Sequence, residues 1–231
     1  MNGFYSIAID GPSGAGKSSQ AKRLAKWLGF IYVDTGAIYR TVGLAAYRRG
    51  IDRKDEDAVC AILPELDIKM RYNEAGEQCM LLNGEDVSTA IRLPEISICA
   101  SDVSAHGRVR AYLLEMQRKL ARENNVIMDG RDIGTVVLPD AELKIFLTAS
   151  AEARATRRLK ENLEKGMDVT FEQVLADIIY RDEQDSNREA APLRQADDAV
   201  LVDSSELDFD ATFQRLCEVV EEKLRLGGTG A

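Results

Sequence analysis

The feature that most constrains this chain is a glycine-rich segment at residues 11–18, which reads Gly-Pro-Ser-Gly-Ala-Gly-Lys-Ser. It matches the pattern G-x-x-x-x-G-K-[ST] at every fixed position. The apolar run Phe4 to Asp10 before it predicts a buried strand, and apolar residues at helical spacing follow from Ser18 to Leu28. In such a strand-loop-helix unit, glycines allow backbone N–H groups to surround a phosphate, and the helix N-terminus adds a positive dipole. The segment therefore predicts a nucleotide-binding α/β protein.

The motif predicts phosphate-binding roles for consecutive residues of the loop. Lys17 is expected to reach the β- and γ-phosphates as a point charge, and Ser18 offers a hydroxyl to Mg²⁺. The predicted ATP-phosphate site comprises Gly11, Pro12, Ser13, Gly14, Ala15, Gly16, Lys17, Ser18 and Ser19.

The rest of the chain continues the alternation of strands and helices. Further strands are predicted at residues 30–33, 126–128, 143–147 and 199–202, and helices at 37–49, 151–163, 171–185 and 209–225. Helical patterns also occur between residues 95 and 122, with a helix that opens at Gly107. Residues 57–87 interrupt this alternation of strands and helices with a pattern typical of a β-hairpin, which predicts a small antiparallel insertion. The expected fold is a five-stranded parallel sheet flanked by helices, with that insertion and a short lid.

Composition excludes several other classes of protein. The net charge of −9 disfavours binding to a nucleic-acid polymer. Four widely spaced cysteines and a single histidine, His106, make a zinc site and a histidine-dependent hydrolase poor interpretations. The start of the chain has no basic leader, and its apolar run is too short to span a membrane, so we expect a cytoplasmic protein without membrane contact.

Charged residues beyond the loop follow turn signals and strand ends. The cations divide into 20 Arg and 10 Lys, which favours the side chain that grips phosphate in bidentate fashion. Asp129, after a predicted strand, is a candidate for orienting hydrated Mg²⁺, or it simply closes the strand in a turn. Arg154, Arg157 and Arg158 form a candidate lid over ATP, with a surface helix paired to glutamates as the alternative.

The phosphate-binding loop by itself does not distinguish a switch, a motor and a kinase. A guanine-specific N-K-x-D motif is absent from the sequence, which argues against a small GTPase. Phosphoryl transfer between two anionic nucleotides needs many positive donors, because the protein acts mainly by positioning and charge neutralisation. The arginine-rich turns therefore favour a kinase.

Four segments together resemble the bacterial-type cytidylate kinases of the P-loop nucleoside monophosphate kinase superfamily. They are IAIDGPSGAGKSS (residues 7–19), DTGAIYR (34–40), DGRDIGTVV (129–137), and RDEQDSNR (181–188) followed by APL (191–193). The resemblance runs from about Phe4 to Lys223 and includes the insertion. It implies transfer of a phosphoryl group from MgATP to CMP or dCMP, giving ADP and CDP or dCDP.

The resemblance also implies roles for individual residues. Arg131 and Arg188 join Lys17 of the loop as the candidate catalytic residues. Ser18 and Asp129, from the loop and the strand end, stay the candidate metal contacts. Thr35, Arg40 and Arg131 would surround the acceptor phosphate, and Arg188 would bridge towards the transferred group. The implied CMP-binding residues are Thr35, Arg40, Ser101, Arg110, Arg131, Asp132, Arg181, Asp185 and Arg188.

Two departures from the family pattern stand out. Relatives often carry Gly-Thr after the loop lysine, where this chain has Ser18-Ser19, and Ser in place of Thr35. Both keep a hydroxyl nearby, but they leave open whether Ser18 or Ser19 contacts Mg²⁺. The alternatives to a CMP kinase are a kinase for UMP, AMP or shikimate, and a regulator that only holds or slowly hydrolyses ATP.

We expect one kinase domain over residues 1–231, acting as a monomer on ATP, CMP and dCMP. Its core would comprise residues 1–56, 88–150 and 167–226. The insertion on the acceptor side would span about 57–87, the lid about 151–166, and a flexible tail 227–231.

Overall fold

The computed structural model describes residues 3–164 and 166–224, which form two sheets with helices. The strands are β1 Ser6–Asp10, β2 Ile31–Asp34, β3 Ile68–Tyr72, β4 Gln78–Leu82, β5 Glu85–Asp86, β6 Val126–Gly130, β7 Leu143–Thr148 and β8 Val200–Asp203. The α-helices are α1 Lys17–Leu28, α2 Thr35–Arg48, α3 Glu56–Ile62, α4 Pro94–Ala105, α5 Gly107–Glu123, α6 Ala151–Glu164, α7 Phe171–Asn187 and α8 Phe209–Leu224.

The larger sheet confirms the predicted α/β fold. It has five strands in the order β2-β6-β1-β7-β8. Strand β1 lies parallel to β6, with Ser6 opposite Val126, and parallel to β7, with Ile7 opposite Leu143. Strand β1 is buried at all of its residues, as expected for an inner strand covered on both faces. Because the strands are parallel, the segments that follow β1, β6, β7 and β8 leave from the same edge of the sheet.

The chain divides into two compact units, and the first contains residues 1–30 and 125–231. Strands β1, β6, β7 and β8 form most of its sheet. Helices α6 and α7 pack on each other through a small apolar cluster of their own, centred on Ala155, Val174 and Ile178.

The second unit contains residues 31–124. Its core joins apolar residues of α2 to α5 with those of the three-stranded antiparallel sheet, whose order is β3-β4-β5. Residues of β3 and β4 pair from Ile68 with Leu82 to Tyr72 with Gln78, which confirms the predicted hairpin. The predicted bounds of the core, the insertion and the lid stay a prediction.

Two details differ from the sequence prediction, the helix before the hairpin and the turn after β6. The insertion begins with helix α3, whose N-cap Asp55 accepts a hydrogen bond from the Ala58 N–H at 3.1 Å. The helical patterns predicted between residues 95 and 122 form two helices, α4 and α5, and α5 begins at Gly107 as predicted, with His106 extended between the two. A π-helical turn, Ile133–Val137, follows β6. The predicted flexible tail 227–231 lies outside the described residues.

Helix α2 crosses α4 at Gly43, where close approach requires the missing side chain. An added Cβ would lie 3.0 Å from the Ala100 nitrogen and 3.1 Å from the Cys99 Cβ. Overpacking typically lowers the free energy of unfolding by about 1–3 kcal/mol. Replacing a helical glycine by alanine raises it by about 1 kcal/mol through better helix propensity.

We therefore expect Gly43→Ala to lower the free energy of unfolding by about 1 kcal/mol in urea titrations, despite its better helix propensity. Gly3→Ala, which adds a methyl group to open space, serves as the control. A stabilised Gly43→Ala variant would show that the two helices can separate without cost.

Candidate active site

The glycine-rich loop follows β1, and its first residue, Gly11, packs very closely against the backbone of β7. A Cβ on Gly11 would lie 2.0 Å from the Leu147 carbonyl oxygen of β7, so only glycine fits. Gly14 and Gly16 have φ of +78° and +83°, in the left-handed region that glycine adopts without strain. Helix α1 begins directly after Gly16. The loop thus has the strand-to-helix geometry that the sequence motif predicts.

Lys17 is buried beneath this loop. Its Nζ donates to the Pro12 carbonyl oxygen at 2.7 Å, and the residue is 6% exposed. Burial, followed by the nearby Arg131 guanidinium, lowers the pKa of Lys17 below its usual range. The acidic neighbours Asp129, Asp10 and Asp185 act in the opposite direction. Nζ is held at the loop in a water-poor setting, where the protonated amine interacts strongly with an anion.

A hydroxyl and a carboxylate meet at the start of α1. Ser18 Oγ donates to Asp129 Oδ2 at 2.7 Å, and Asp129 is buried at the end of β6. Hydroxyl and carboxylate oxygens are suitable ligands for Mg²⁺, which usually binds one or two protein oxygens besides phosphate and water. The pair fits a magnesium ion, and the hydrogen bond favours Ser18 over Ser19 as the hydroxyl concerned.

Two ion pairs link the segment after β6 with the end of α7. Arg131 Nε donates to Asp185 Oδ2 at 2.6 Å. Arg188 Nη2 lies 3.4 Å from Asp132 Oδ1, and both side chains are almost fully buried, at 8% and 6% exposure. These four predicted CMP-binding residues therefore lie together in the first unit, and each charge has a partner of opposite sign.

Arg154, the first of the predicted lid arginines, is buried, with 4% exposure, and its closure over ATP stays a prediction. Its guanidinium binds Asp182 through two contacts, at 3.0 and 2.6 Å, and donates to the Ser13 carbonyl oxygen of the loop at 3.0 Å. The neighbouring Ala149 carbonyl accepts from Nε at 2.8 Å. In this structure Arg154 anchors the loop to α7.

The other two predicted lid arginines have different surroundings. Arg157 donates to the carbonyl oxygens of Ser204 and Leu207, in the segment after β8. Arg158 and Arg181 line a small cleft between α6 and α7 together with Asp177. Burial, with the like charge of Arg158, lowers the pKa of Arg181. Closure of these residues over ATP stays a prediction.

In the second unit, Thr35 and Arg40 lie at the start of α2. Thr35 is 3% exposed. Arg40 Nη2 donates to Asp34 Oδ2 at 2.6 Å, while its buried Nε has no hydrogen-bond partner among the described residues. Asp34 also caps the helix by accepting from the Ala37 N–H at 2.9 Å. Arg40 is thus held in place with a donor still to be satisfied.

The remaining candidates of the second unit lie on α4 and α5. Arg110 is 9% exposed, donates to the Ser104 carbonyl at 3.1 Å, and stacks its guanidinium 5.2 Å from the ring centre of Tyr39. Ser101 is exposed, and its carbonyl accepts from the Ser104 hydroxyl at 2.9 Å.

Sequence reasoning missed several residues that hold these groups. Gln78 of β4 clamps the backbone of Asp34, accepting from its N–H at 2.7 Å and donating to its carbonyl at 3.2 Å. Asp182 binds Arg154, and Asp10 binds the turn after β6. Asp10, Asp34 and Asp182 all stand inside or beside the quoted motifs, which is the one signal that pointed to them.

The loop, its buried lysine, the Ser18–Asp129 pair and the parallel sheet define a P-loop nucleotide-binding protein. A crystal structure of an uncharacterized protein from Eubacterium ventriosum superposes with a TM-score of 0.53 over 94% of this chain and 98% of that chain. At 14% identity, this likeness concerns the fold alone.

Sequence comparison gives the family. A family model described as cytidylate kinase matches residues 7–222, so the chain belongs to the cytidylate kinase family. The cytidylate kinase of Caldicellulosiruptor bescii is 51% identical over 213 residues, covering 92% of this chain and 94% of that protein. The cytidylate kinase of Citrifermentans bemidjiense is 50% identical over 225 residues, with 97% and 96% covered.

The Arg154–Asp182 contact generates a prediction about stability. Removing one partner of a buried ion pair costs about 3–5 kcal/mol. We expect Arg154→Ala to lose somewhat less, about 2–4 kcal/mol, because the Asp182 side chain keeps 26% exposure. Urea unfolding measures this loss.

Arg158→Ala, one turn along the same helix, is the matched control and should cost less than about 1 kcal/mol. Equal small losses in both variants would show that Arg154 does not anchor the loop.

Proposed function

We propose that this chain transfers the terminal phosphoryl group of ATP, bound with Mg²⁺, to the phosphate of CMP or dCMP. Membership in the cytidylate kinase family supports the substrates. The observation that carries the proposal is the group of buried charges around the loop, in which Lys17, the Arg131–Asp185 pair and the Asp132–Arg188 pair lie in one unit.

The loop and Lys17 bind the donor. Backbone N–H groups of residues 11–18 surround the phosphates at the N-terminus of α1, where the helix dipole adds to their charge. Lys17 exchanges its contact with the Pro12 carbonyl for the β- and γ-phosphate oxygens. Ser18 and Asp129 would hold Mg²⁺, which when bound neutralises charge between those phosphates.

Arginines position the phosphates for in-line transfer. Arg131 contacts the acceptor phosphate, and Arg188 bridges towards the group in transfer. Because each is already bound to a carboxylate, its guanidinium is oriented before substrate arrives, and little reorganisation is needed at the reaction. The acceptor phosphate is itself nucleophilic, so the site needs no general base. In the second unit, Thr35 and Arg40 contact the acceptor phosphate, and the unsatisfied Nε of Arg40 supports this role.

Asp132 reads the base. Its carboxylate accepts a hydrogen bond from the exocyclic amine of cytosine, whereas uracil would present an oxygen there. Two acceptors facing each other in a buried site are strongly unfavourable. Ser101 and Arg110 complete the contacts to the base edge, and Arg181 and Asp185 contact the sugar.

We also propose that the enzyme works as a monomer in the cytoplasm. The four cysteines are free thiols in the structure, consistent with a reducing compartment. Among the described helices, none combines the length and the apolar character needed to cross a bilayer. Light scattering in solution tests the monomeric state.

A coupled assay of ADP release with CMP, dCMP, UMP, AMP and shikimate tests the proposed function. We expect CMP and dCMP to be the preferred acceptors. Preference for another acceptor would assign a different kinase, and slow turnover without any acceptor would indicate an ATP-binding regulator.

Lys17→Ala should lower kcat with CMP by at least about 100-fold, because the transferred phosphoryl group loses a buried positive donor. Circular dichroism should show an unchanged fold. Lys26→Ala, an exposed lysine on the same helix, is the control and should keep normal turnover. Near-normal turnover of Lys17→Ala would refute the role of the loop.

Asp132→Ala should reduce kcat/KM for CMP about 10- to 100-fold more than for UMP, because the substitution removes the acceptor for the cytosine amine. Steady-state kinetics with both substrates measures the difference. Equal losses with CMP and UMP would mean that Asp132 does not read the base.

A further inference from the structure

Side chains of the β3–β4 hairpin hold the end of β2, although the hairpin and β2 belong to different sheets. Gln78 Oε1 accepts from the Asp34 N–H at 2.7 Å, and Gln78 Nε2 donates to the Asp34 carbonyl at 3.2 Å. Opposite Gln78 in the hairpin, the Tyr72 hydroxyl donates to the Tyr32 carbonyl at 2.8 Å. Strand β2 is the first in the order of its sheet, so these side chains take the place of a neighbouring strand along its edge.

Asp34 is the residue at which β2 ends and helix α2 begins. Its Oδ1 accepts from the Ala37 N–H at 2.9 Å, and its Oδ2 accepts from Arg40 Nη2 at 2.6 Å. The rotamers open to a side chain depend on the backbone that carries it. A shift of the Asp34 backbone therefore moves its carboxylate, and with it the guanidinium of Arg40.

The Arg40 guanidinium lies against the first turn of α2. A Cβ on Gly36 would lie 3.0 Å from Arg40 Nη1 and 3.1 Å from Asp34 Oδ1. The Nε atom of Arg40 is buried and has no hydrogen-bond partner among the described residues. Binding of a phosphate oxygen by such a donor depends on its direction, so the fit to a phosphate depends on how Asp34 holds Arg40.

We propose that Gln78 is a positioning residue for the acceptor phosphate: by fixing the Asp34 backbone at both its N–H and its carbonyl, it sets the carboxylate that orients Arg40. This role rests on the proposed function, in which Arg40 contacts that phosphate. Gln78 needs no contact with substrate and acts only through Asp34. The small antiparallel sheet thereby contributes to acceptor binding as well as to the core of the second unit.

The two contacts require an amide at position 78. The Asp34 N–H needs an acceptor and the Asp34 carbonyl needs a donor, and a glutamine side chain offers both. Gln78 Nε2 also donates to the Met80 thioether at 3.3 Å, which supports this orientation of the amide. Methionine at position 78 would have a similar length but would offer neither the oxygen nor the N–H group. Asparagine would keep the amide, but it is one methylene group too short to reach both atoms.

The experiment measures kcat and the KM values of CMP and ATP in the wild type and in Gln78→Met. We expect the KM of CMP to rise about 10-fold, because a charge-assisted hydrogen bond to the acceptor phosphate is misaligned. The kcat and the KM of ATP should each change less than about twofold, because the contact binds CMP equally in the ground state and the transition state.

A merely structural role would give the opposite pattern. It would lower the amount of folded enzyme, which reduces kcat and leaves the KM of CMP unchanged. Gln78→Asn should raise the KM of CMP in the same way as Gln78→Met, and it decides the question if Gln78→Met does not fold.

Tyr72→Phe is the matched control, since it removes a hydrogen bond between the same hairpin and the same strand without touching Asp34. It should lower the midpoint of urea unfolding and change the KM of CMP less than about twofold. In an Arg40→Ala background, Gln78→Met should change the KM of CMP less than about twofold, because the group that Gln78 positions is gone.

An unchanged KM of CMP in the Gln78 variants, while Arg40→Ala raises it, would overturn the role of Gln78 alone. Equal rises in Tyr72→Phe and Gln78→Met, or equal rises with and without the Arg40 side chain, would also overturn it. An Arg40→Ala variant with an unchanged KM of CMP would refute the proposed contact of Arg40, and the role of Gln78 with it. A wild-type enzyme that prefers another acceptor would refute the proposed function itself, so the failures are distinguishable.

Discussion

Buried cations hold the carbonyl oxygens of the phosphate-binding loop, and the rest of the site depends on this contact. Lys17 donates to the Pro12 carbonyl and Arg154 to the Ser13 carbonyl. With these acceptors occupied, the loop keeps a conformation in which its N–H groups remain for phosphate. Arg154 also binds Asp182 of α7, so the helix that Arg188 directly follows is tied to the same loop.

Acidic residues at strand ends divide two tasks between them. Asp10 accepts from backbone N–H groups of the turn after β6, and Asp34 accepts from a backbone N–H at the start of α2. Asp129 and Asp132 bind a hydroxyl and a guanidinium. Burial raises the pKa of Asp10 to about 6, and its hydrogen bonds to the turn oppose that shift.

Much of the fold follows from local patterns. The sequence predicts the glycine-rich segment, the apolar runs that form β1, β6 and β7, and the hairpin at 68–82 to within a few residues. Each of these depends on neighbouring side chains. Helix α3 was missed although Asp55, Glu56 and Asp57 form an acidic N-terminus there, because the hairpin pattern dominated the segment. The π-helical turn after β6 has no periodic signal of its own.

The sequence by itself determined that this chain binds nucleotide phosphate, because the order strand, glycine-rich loop, lysine and helix is a local property. Four motifs together also identified its family. Only the tertiary structure decided which charges meet. Arg154 binds Asp182 and the loop, Gln78 clamps Asp34, and Asp10 caps a turn more than 120 residues away. Such contacts depend on parallel strands that bring distant segments to one sheet edge, and no spacing along the chain records them.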